Sequence, residues 1–228
     1  HKLSYLYLPS IIEEKADIHP GDIPLNFWKD RSQLTEVMKK WLSMEDERRL
    51  FRVAIARVID RSRKRVSLDD IVTMCAAIES LSELRGESSI SSGQIETLAA
   101  AAQTAAVEQD IKIDPARIKN LLDMLRHQSL PRRLKLLGKE LLPNISKVDT
   151  ELVVEAVRSL RTVAAHGQML PEINLPKIAP SVQALLGFCV LYDLITCSVP
   201  TKTHGDSHIV AMRHVREAVY ELRRLKLL

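Results

Sequence analysis

The sequence predicts an all-α protein, a bundle of antiparallel helices that follows a short irregular N-terminal segment. Its 228 residues are 46% hydrophobic but only 4% aromatic, so the apolar content is mostly Leu, Ile, Val and Ala. This balance favours helix-on-helix packing over a β-sandwich. Apolar residues recur at helical spacing along most of the chain, and no internal repeat is present. The connections are short, which favours antiparallel neighbours in one bundle.

The first 30 residues differ from the rest of the chain. HKLSYLYLPSI alternates weakly between apolar and polar residues, and Pro9, Pro20, Gly21 and Pro24 then interrupt any regular element. We expect residues 1–30 to be a linker or the tail of an upstream domain, and residues 31–228 to form one helical domain. The predicted helices cover residues 32–43, 45–62, 67–85, 92–109, 114–127, 131–141, 147–168 and 179–198, with a last helix that runs to the C terminus.

Local signals mark some of these helices and connections. Ser67 supplies a capping hydroxyl, and Asp69 and Asp70 follow in the first turn, where carboxylates are favourable. Gly86 is a natural residue just beyond the C-terminal end of that helix. A loop is expected over residues 171–180. The core face of the second helix is predicted from Leu50, Val53, Ala54, Arg57 and Val58, which share helical spacing.

Charge and cysteine content limit the classes of function. The formal net charge is +4 and the pI is near 9.0, which permits a polyanionic partner without requiring one. Three cysteines without a C-x-x-C pair argue against a disulfide framework, so we expect Cys75, Cys189 and Cys197 to be core residues in a reducing cytosol. No signal peptide is visible, and no apolar run approaches the roughly 18 residues that span a bilayer. We therefore expect a cytoplasmic protein without a membrane partner.

The run Glu151–Met169, ELVVEAVRSLRTVAAHGQM, predicts an amphipathic helix with reactive groups on its polar side. Its apolar stripe consists of Val153, Ala156, Val157, Leu160, Ala164 and Gly167. Arg158, Arg161, Thr162 and His166 fall on the opposite side. An arginine holds a phosphate through a planar fork of donors, and a histidine moves a proton near neutral pH. This pair can therefore cleave a phosphodiester without a metal.

In such a reaction His166 acts as general base or acid on the ribose 2′-OH or on the 5′-leaving oxygen. Arg161 holds the scissile phosphate and the charge that grows on it. The expected products are a 2′,3′-cyclic phosphate, or a 3′-phosphate, and a 5′-OH. Because one histidine does not easily serve as both acid and base, we expect a homodimer in which a second copy supplies the missing group. The alternative is that both residues are solvated surface positions.

Other charged residues extend this hypothesis. Glu79 is the lone acid of AAIESL, and it is either a surface position or a partner that orients Arg161 or another cation. Arg132 and Arg133 belong to a basic run that can follow an RNA backbone, unless this run is a solvated face balanced by nearby acids. Aromatic residues do not interleave with the basic runs, so base stacking is not predicted. Arg158, Arg132, Arg133 and Glu79 are the predicted substrate-binding residues.

We expect neither a metal nor a cofactor. His204, Asp206 and His208 have a spacing that can bind a metal, but they lie in a loop that enters a helix, where Asp206 is a natural N-cap. No Gly-rich phosphate-binding loop is present. The chemistry of an arginine and a histidine on a phosphodiester requires no further group.

The Arg161 helix resembles that of the HEPN superfamily of ribonucleases and nucleotide-binding domains. RTVAAHG at 161–167 stands where members commonly have Arg, a polar residue, three residues and His-Gly. MCAAIESL at 74–81 and NFWKDRSQLTEVMKKWLSM at 26–44 resemble segments of the Apea-like HEPN group. Thr162 departs from the Asn, Asp or His that is usual at its position.

This resemblance covers most of residues 26–228 and implies a HEPN-like bundle. It also implies a homodimeric, metal-independent endoribonuclease of a bacterial abortive-infection or toxin-like system, with an upstream sensing domain. Arg161, His166 and Thr162 are then the catalytic residues, and RNA is the partner. The alternative is a non-catalytic dimerisation or nucleotide- or RNA-binding module in which Arg161 merely holds a phosphate. A structural helical domain without a ligand is a third interpretation.

Overall fold

The computed structural model describes residues 30–62, 65–84, 90–123, 129–141, 145–165, 175–199 and 210–226, which contain nine helices and no strand. The helices are α1 (Arg31–Ser43), α2 (Glu45–Ser62), α3 (Leu68–Ser80), α4 (Ser92–Glu108), α5 (Pro115–Asp123), α6 (Leu130–Glu140), α7 (Lys147–Ala165), α8 (Leu175–Thr196) and α9 (Val210–Lys226). The prediction of an all-α helical bundle is confirmed.

Helix α8 forms the centre of the bundle. Twelve of its 22 residues are buried, and they are distributed all around the helix. Helices α2, α3, α6, α7 and α9 pack against it, and their apolar side chains join those of α8 in one core cluster. A helix that is apolar all round is stable only where neighbours surround it, so this packing accounts for the composition of α8.

The length of α8 corrects one expectation from the sequence. The run Leu175–Thr196 is long and apolar enough to cross a membrane, whereas we expected no run of that size. Of its most apolar 18-residue window, 67% is buried inside the bundle. Length and composition therefore do not separate a core helix from a membrane span, but the burial of α8 among other helices explains why it is apolar.

Helix α8 also begins earlier than predicted, because Leu175 lies inside the predicted loop over 171–180. Pro176 is in the first turn, where a missing N–H breaks no helical hydrogen bond. Pro180 follows one turn later, within the helix, and is buried. The two prolines, which indicated a loop in the sequence, are thus accommodated at the start of the core helix.

Helix α3 begins where the sequence predicts and ends earlier. The Asp70 carboxylate accepts the backbone N–H of Ser67 at 2.9 Å, which closes one half of a capping box. At the other end, Leu81 adopts an extended backbone with φ −69° and ψ 115°, and its side chain is fully buried. The helix therefore stops at Ser80. Gly86, the predicted terminating residue, lies outside the described residues.

Helix α2 does not present the predicted face to the core. Ala54 and Val58 are buried as expected, but Leu50 is 72% exposed, Val53 is 41% exposed, and Arg57 is exposed as well. The remaining buried residues of α2 are Arg48, Phe51 and Ile55. The spacing of apolar residues does not predict the buried side of α2, because this side includes a buried arginine, Arg48.

We predict that Gly187→Ala destabilises the bundle, because α8 and α9 touch at this glycine. A Cβ at residue 187 would overlap Cγ2 of Val215 and would lie 3.4 Å from the carbonyl oxygen of Ala211. Val215 is buried, and its β-branched side chain has little rotamer freedom in a helix. The two helices must then separate, and the free energy of unfolding in urea should fall by about 1–3 kcal/mol.

Gly93→Ala is the matched control for this prediction. Gly93 is in the first turn of α4, and a Cβ there meets no atom within 4 Å. The control should leave the free energy of unfolding unchanged or raise it by up to about 1 kcal/mol, since alanine favours the helix. Equal losses in the two variants would show that α8 and α9 do not approach closely at residue 187.

Candidate active site

Helix α7 carries the predicted catalytic segment and is firmly anchored in the bundle. At its start, the Ser146 hydroxyl accepts the backbone N–H of Asp149 at 3.1 Å and thereby caps the helix. Its buried residues are Thr150, Val153, Val154, Val157 and Leu160. These face α3, α6, α8 and α9. The predicted apolar stripe of α7 therefore does contribute to the core, and Arg161 lies at its edge.

Arg161 forms an ion pair with Glu79, near the C-terminal end of α3. Nη2 of the arginine lies 2.9 Å from one carboxylate oxygen and 3.2 Å from the other. The two side chains are 36% and 37% exposed, so the pair is open to solvent. Within the described part of the chain, Nε and Nη1 of Arg161 contact no other acceptor. The guanidinium is thus held by Glu79 through Nη2.

The structure corrects the prediction that Arg133 is a solvent-facing contact to RNA. Arg133 is only 5% exposed, and its Nη1 donates a hydrogen bond of 2.6 Å to the carbonyl oxygen of Glu79. The last carbonyls of a helix lack donors within the helix, and a positive charge is favourable at that end. Arg133 therefore closes the end of α3 and fixes the backbone of the residue that pairs with Arg161.

The other predicted site residues on α6 and α7 are at the surface. Arg132 and Arg158 are exposed. Thr162 is exposed too, and its hydroxyl donates a hydrogen bond of 2.9 Å to the carbonyl oxygen of Arg158, one turn earlier. His166 follows the last described residue of α7 and lies outside the described residues. The structure thus brings Arg161, Glu79 and Arg133 together and gives no position for the histidine.

Cys75 is buried close to the Arg161–Glu79 pair. It lies one turn before Glu79 on α3 and is fully buried. Burial raises the pKa of its thiol to about 12, with a smaller lowering effect from Arg161 and a smaller raising effect from Glu79. All three cysteines of the chain are buried and free, as expected from their contexts. A neutral, buried thiol is a poor nucleophile.

A second polar cluster, which the sequence did not indicate, joins α2 to α8. Nη1 of Arg48 lies 2.9 Å from Oδ1 of Asp193, and its Nη2 lies 2.6 Å from Glu83. Nη1 also donates to Thr196. Arg48 is 2% exposed and Asp193 is 3% exposed. Burial lowers the pKa of Arg48, but the hydrogen bond to Asp193 and the charge of Glu83 raise it more, so the net shift is upward.

Arg52 completes this cluster one turn further along α2. Its Nε lies 3.1 Å from Oδ2 of Asp193, and its Nη1 contacts Glu45 at 2.7 Å and the carbonyl oxygen of Trp41 at 3.0 Å. The guanidinium also stacks on the Trp41 ring, 3.7 Å from the ring centre. Nη2 bonds Asp193 and contacts the Cys197 sulfur. Every nitrogen of Arg52 therefore has a partner, and the cluster is structural.

One sequence signal could have revealed this cluster. Asp193 is the only acid in α8, LPKIAPSVQALLGFCVLYDLIT, which is otherwise apolar over most of its length. A lone acid in a predicted core helix requires a buried cation as its partner. The partner could not be identified from the sequence, because Arg48 lies 145 residues away along the chain.

An open groove of about 520 Å³ runs between α2 and α8 beside this cluster. Val53, Ala56 and Ile59 line it from α2, and Val190 and Leu194 line it from α8. Glu45, Arg49, Arg52, Asp193, Ile55 and Trp41 complete the lining. The groove is therefore mostly apolar and has no unpaired buried charge that would attract a small polar ligand.

No metal centre is found among the described residues, where no three His, Cys, Asp or Glu side chains converge. His204, Asp206 and His208 lie outside these residues. No protein family model, no curated protein and no solved structure matches this chain. The function is therefore inferred from the site itself.

We predict that Asp193→Ala lowers the free energy of unfolding by about 3–5 kcal/mol, because it leaves two buried guanidinium groups without their shared carboxylate. Urea unfolding followed by circular dichroism measures this loss. Glu45→Ala is the matched control, since its carboxylate also contacts Arg52 but is 46% exposed. The control should cost no more than about 1 kcal/mol. A similar loss in both variants would show that burial does not determine the strength of these ion pairs.

Proposed function

We propose that this chain is a metal-independent endoribonuclease with a HEPN-like bundle. The observation that carries the proposal is the Arg161 guanidinium at the end of α7, which is 36% exposed, held by Glu79 on one side and five positions before His166 in the sequence. A guanidinium fixed in this way is suited to bind a phosphate from the solvent side. The imidazole that follows it in the chain supplies the proton transfer.

In the proposed reaction His166 removes the proton of the ribose 2′-OH, or protonates the 5′-oxygen that leaves. The 2′-oxygen attacks the phosphorus, the bond to the 5′-oxygen breaks, and the products are a 2′,3′-cyclic phosphate and a 5′-OH. Nε and Nη1 of Arg161 donate to the phosphate oxygens, on which negative charge grows. Arg158 and Arg132, which are exposed, are the candidates for contacts to neighbouring phosphates.

Glu79 is assigned a positioning role. Its carboxylate engages Nη2 of Arg161 and thereby limits the rotation of a long side chain before the substrate binds. Arg133 in turn holds the backbone of Glu79. Pre-organisation of this kind lowers the entropy that must be lost when the phosphate is bound. Thr162 remains the candidate for the polar position that follows the arginine.

The remaining parts of the proposal follow from the chemistry and the resemblance. A single histidine in the proposed site favours a homodimer, in which the second copy supplies a second proton-transfer group. A cytoplasmic RNA-cleaving enzyme must be held inactive in a healthy cell, so we assign it to a bacterial defence or toxin-like system that has an upstream sensing domain. RNA is the substrate class, and no cofactor is needed.

Cleavage of RNA in the presence of EDTA tests this proposal. Arg161→Ala and His166→Ala should each reduce the rate at least about 100-fold, because they remove the phosphate contact and the proton transfer. Arg117→Ala on α5 is the matched control, since this arginine is exposed and lies outside the site. The control should cleave at the wild-type rate, and the products should carry cyclic phosphates. RNA or nucleotide binding without cleavage would favour the non-catalytic module instead.

We predict that Glu79→Gln lowers kcat about ten-fold without raising the KM for RNA. The amide keeps the size of the side chain but loses the charge that holds Arg161 in place, so the phosphate contact is less well oriented in the transition state. Removal of a negative charge near the substrate does not weaken RNA binding. A rise in KM at constant kcat would show that Glu79 contacts the substrate and does not act through Arg161.

A further inference from the structure

We infer that the exposed side of α9 binds single-stranded RNA, through a tyrosine on which a base stacks and arginines that contact the neighbouring phosphates. The inference rests on the proposed function only for the choice of RNA as the nucleic acid. The observations that carry it concern α9, which contains none of the residues assigned to cleavage.

One side of α9 combines arginines with an exposed aromatic residue. Five apolar residues of this helix are buried and face the bundle: Met212, Val215, Ala218, Val219 and Leu222. Five exposed residues share the opposite side, at the spacing i, i+3, i+7, i+10 and i+11: Arg213, Arg216, Tyr220, Arg223 and Arg224. These last five residues form one continuous stripe along the helix, the α9 stripe.

Tyr220 distinguishes the α9 stripe from an ordinary solvated face. It is 67% exposed. The other aromatic residues that the structure describes are buried or half-buried: Trp41, Phe51, Phe188 and Tyr192. An exposed aromatic ring offers a face on which bases of any identity stack. The expectation that aromatic residues do not interleave with the basic runs is therefore wrong for α9.

Arginines surround Tyr220 on the surface of the helix. Its neighbours at i−4, i+3 and i+4 are Arg216, Arg223 and Arg224, and only Glu217 at i−3 is acidic. Arg216 forms no ion pair with another residue that the structure describes. The charge around the exposed ring is therefore mostly positive, which suits a polyanion whose bases stack on the ring.

The ion pairs of the α9 stripe are at the surface. Arg224 pairs at 2.7 Å with Glu221, the second acid of α9, and its side chain is 64% exposed. Arg223 pairs with Asp149 of α7, and its side chain is 54% exposed. Because exposed ion pairs contribute little to stability, a phosphate can compete for these arginines without a large loss of folding free energy.

The α9 stripe lies beside the helix that carries Arg161. Arg223 pairs with Asp149 and Lys226 pairs with Glu155, so the end of α9 follows the first half of α7 in the same direction. Arg161 lies about 18 Å further along α7 than Asp149. A strand that is held on the stripe can therefore extend along α7 towards Arg161.

This combination of groups favours a single strand over a duplex. In an RNA duplex the bases stack on one another, so their faces are not available to a tyrosine. In a single strand, one base can stack on Tyr220 while the neighbouring phosphates contact Arg216 and Arg223. A stripe of arginines without the aromatic residue would bind both forms through their phosphates alone.

Binding of an RNA that cannot be cleaved tests this surface. The full chain is titrated onto a short fluorescein-labelled 2′-O-methyl oligoadenylate, whose blocked 2′-oxygen cannot attack the phosphorus, and anisotropy gives the dissociation constant. Tyr220→Ala should raise this constant about ten-fold, because the stacked base loses its partner. Tyr220→Phe keeps the ring and should bind like the wild type. Val107→Ala on α4, where the valine is 79% exposed, is the matched control and should also bind like the wild type.

The salt dependence of the same titration tests the arginines. Arg216→Ala should raise the dissociation constant and lower the slope of its logarithm against the logarithm of the salt concentration by about 0.7, because one phosphate contact is lost. Arg117→Ala on α5, an exposed arginine outside the stripe, should change neither quantity. A duplex of the same length should bind more weakly than the single strand, and Tyr220→Ala should not weaken its binding further.

The inference is overturned if the wild-type chain does not bind the single strand, if Tyr220→Ala or Arg216→Ala binds it as tightly as the wild type, or if Tyr220→Ala weakens single strand and duplex equally. Circular dichroism confirms that each variant is folded. Tyr220-dependent binding without cleavage of unmodified RNA contradicts the proposed function and leaves this surface standing. Cleavage in EDTA, with an unchanged dissociation constant for Tyr220→Ala, does the reverse.

Discussion

The buried carboxylate of Asp193 is the interaction on which the arrangement of this bundle depends. It lies in the central helix and binds Arg48 and Arg52, which are one turn apart on α2. If these groups were separated, each charge would be buried without a partner, and the free energy of unfolding would fall strongly. The three groups therefore allow only one register of α2 along α8. Arg48 extends the same constraint to Glu83, in the connection that follows α3.

This constraint also determines which residues of α2 are exposed to solvent. Because Arg48 and Arg52 must face α8, the helix cannot turn Leu50 and Val53 into the core at the same time. These two residues remain outside, although an apolar pattern assigns them to the core. The exposure of Leu50 and Val53 is thus a consequence of the ion pairs that Arg48 and Arg52 form with Asp193 of α8.

In the candidate active site, too, a buried arginine fixes the position of other charged groups, but the ion pair there is exposed to solvent. Arg133 is buried and closes the C-terminal end of α3, so the backbone at Glu79 is fixed by a residue of α6. The Glu79 side chain then holds Arg161 of α7 near the surface. Three helices therefore contribute to the position of one guanidinium. Its partial exposure separates it from Arg48, which is 2% exposed, and from Arg52, whose nitrogens all have partners within the fold.

The sequence by itself determined the helical class of this protein, the location of most helices and the buried side of α7, because these depend on the spacing of apolar residues and on local capping groups. It also indicated Arg161, which lies on the polar side of an amphipathic segment, and Glu79, which is the lone acid of AAIESL. It could not decide which of the adjacent Arg132 and Arg133 faces inward, because successive helical residues point about 100° apart and either can face the core. Only the tertiary structure pairs Arg48 with Asp193, since attraction between residues 145 positions apart depends on how the helices are packed and not on any local pattern.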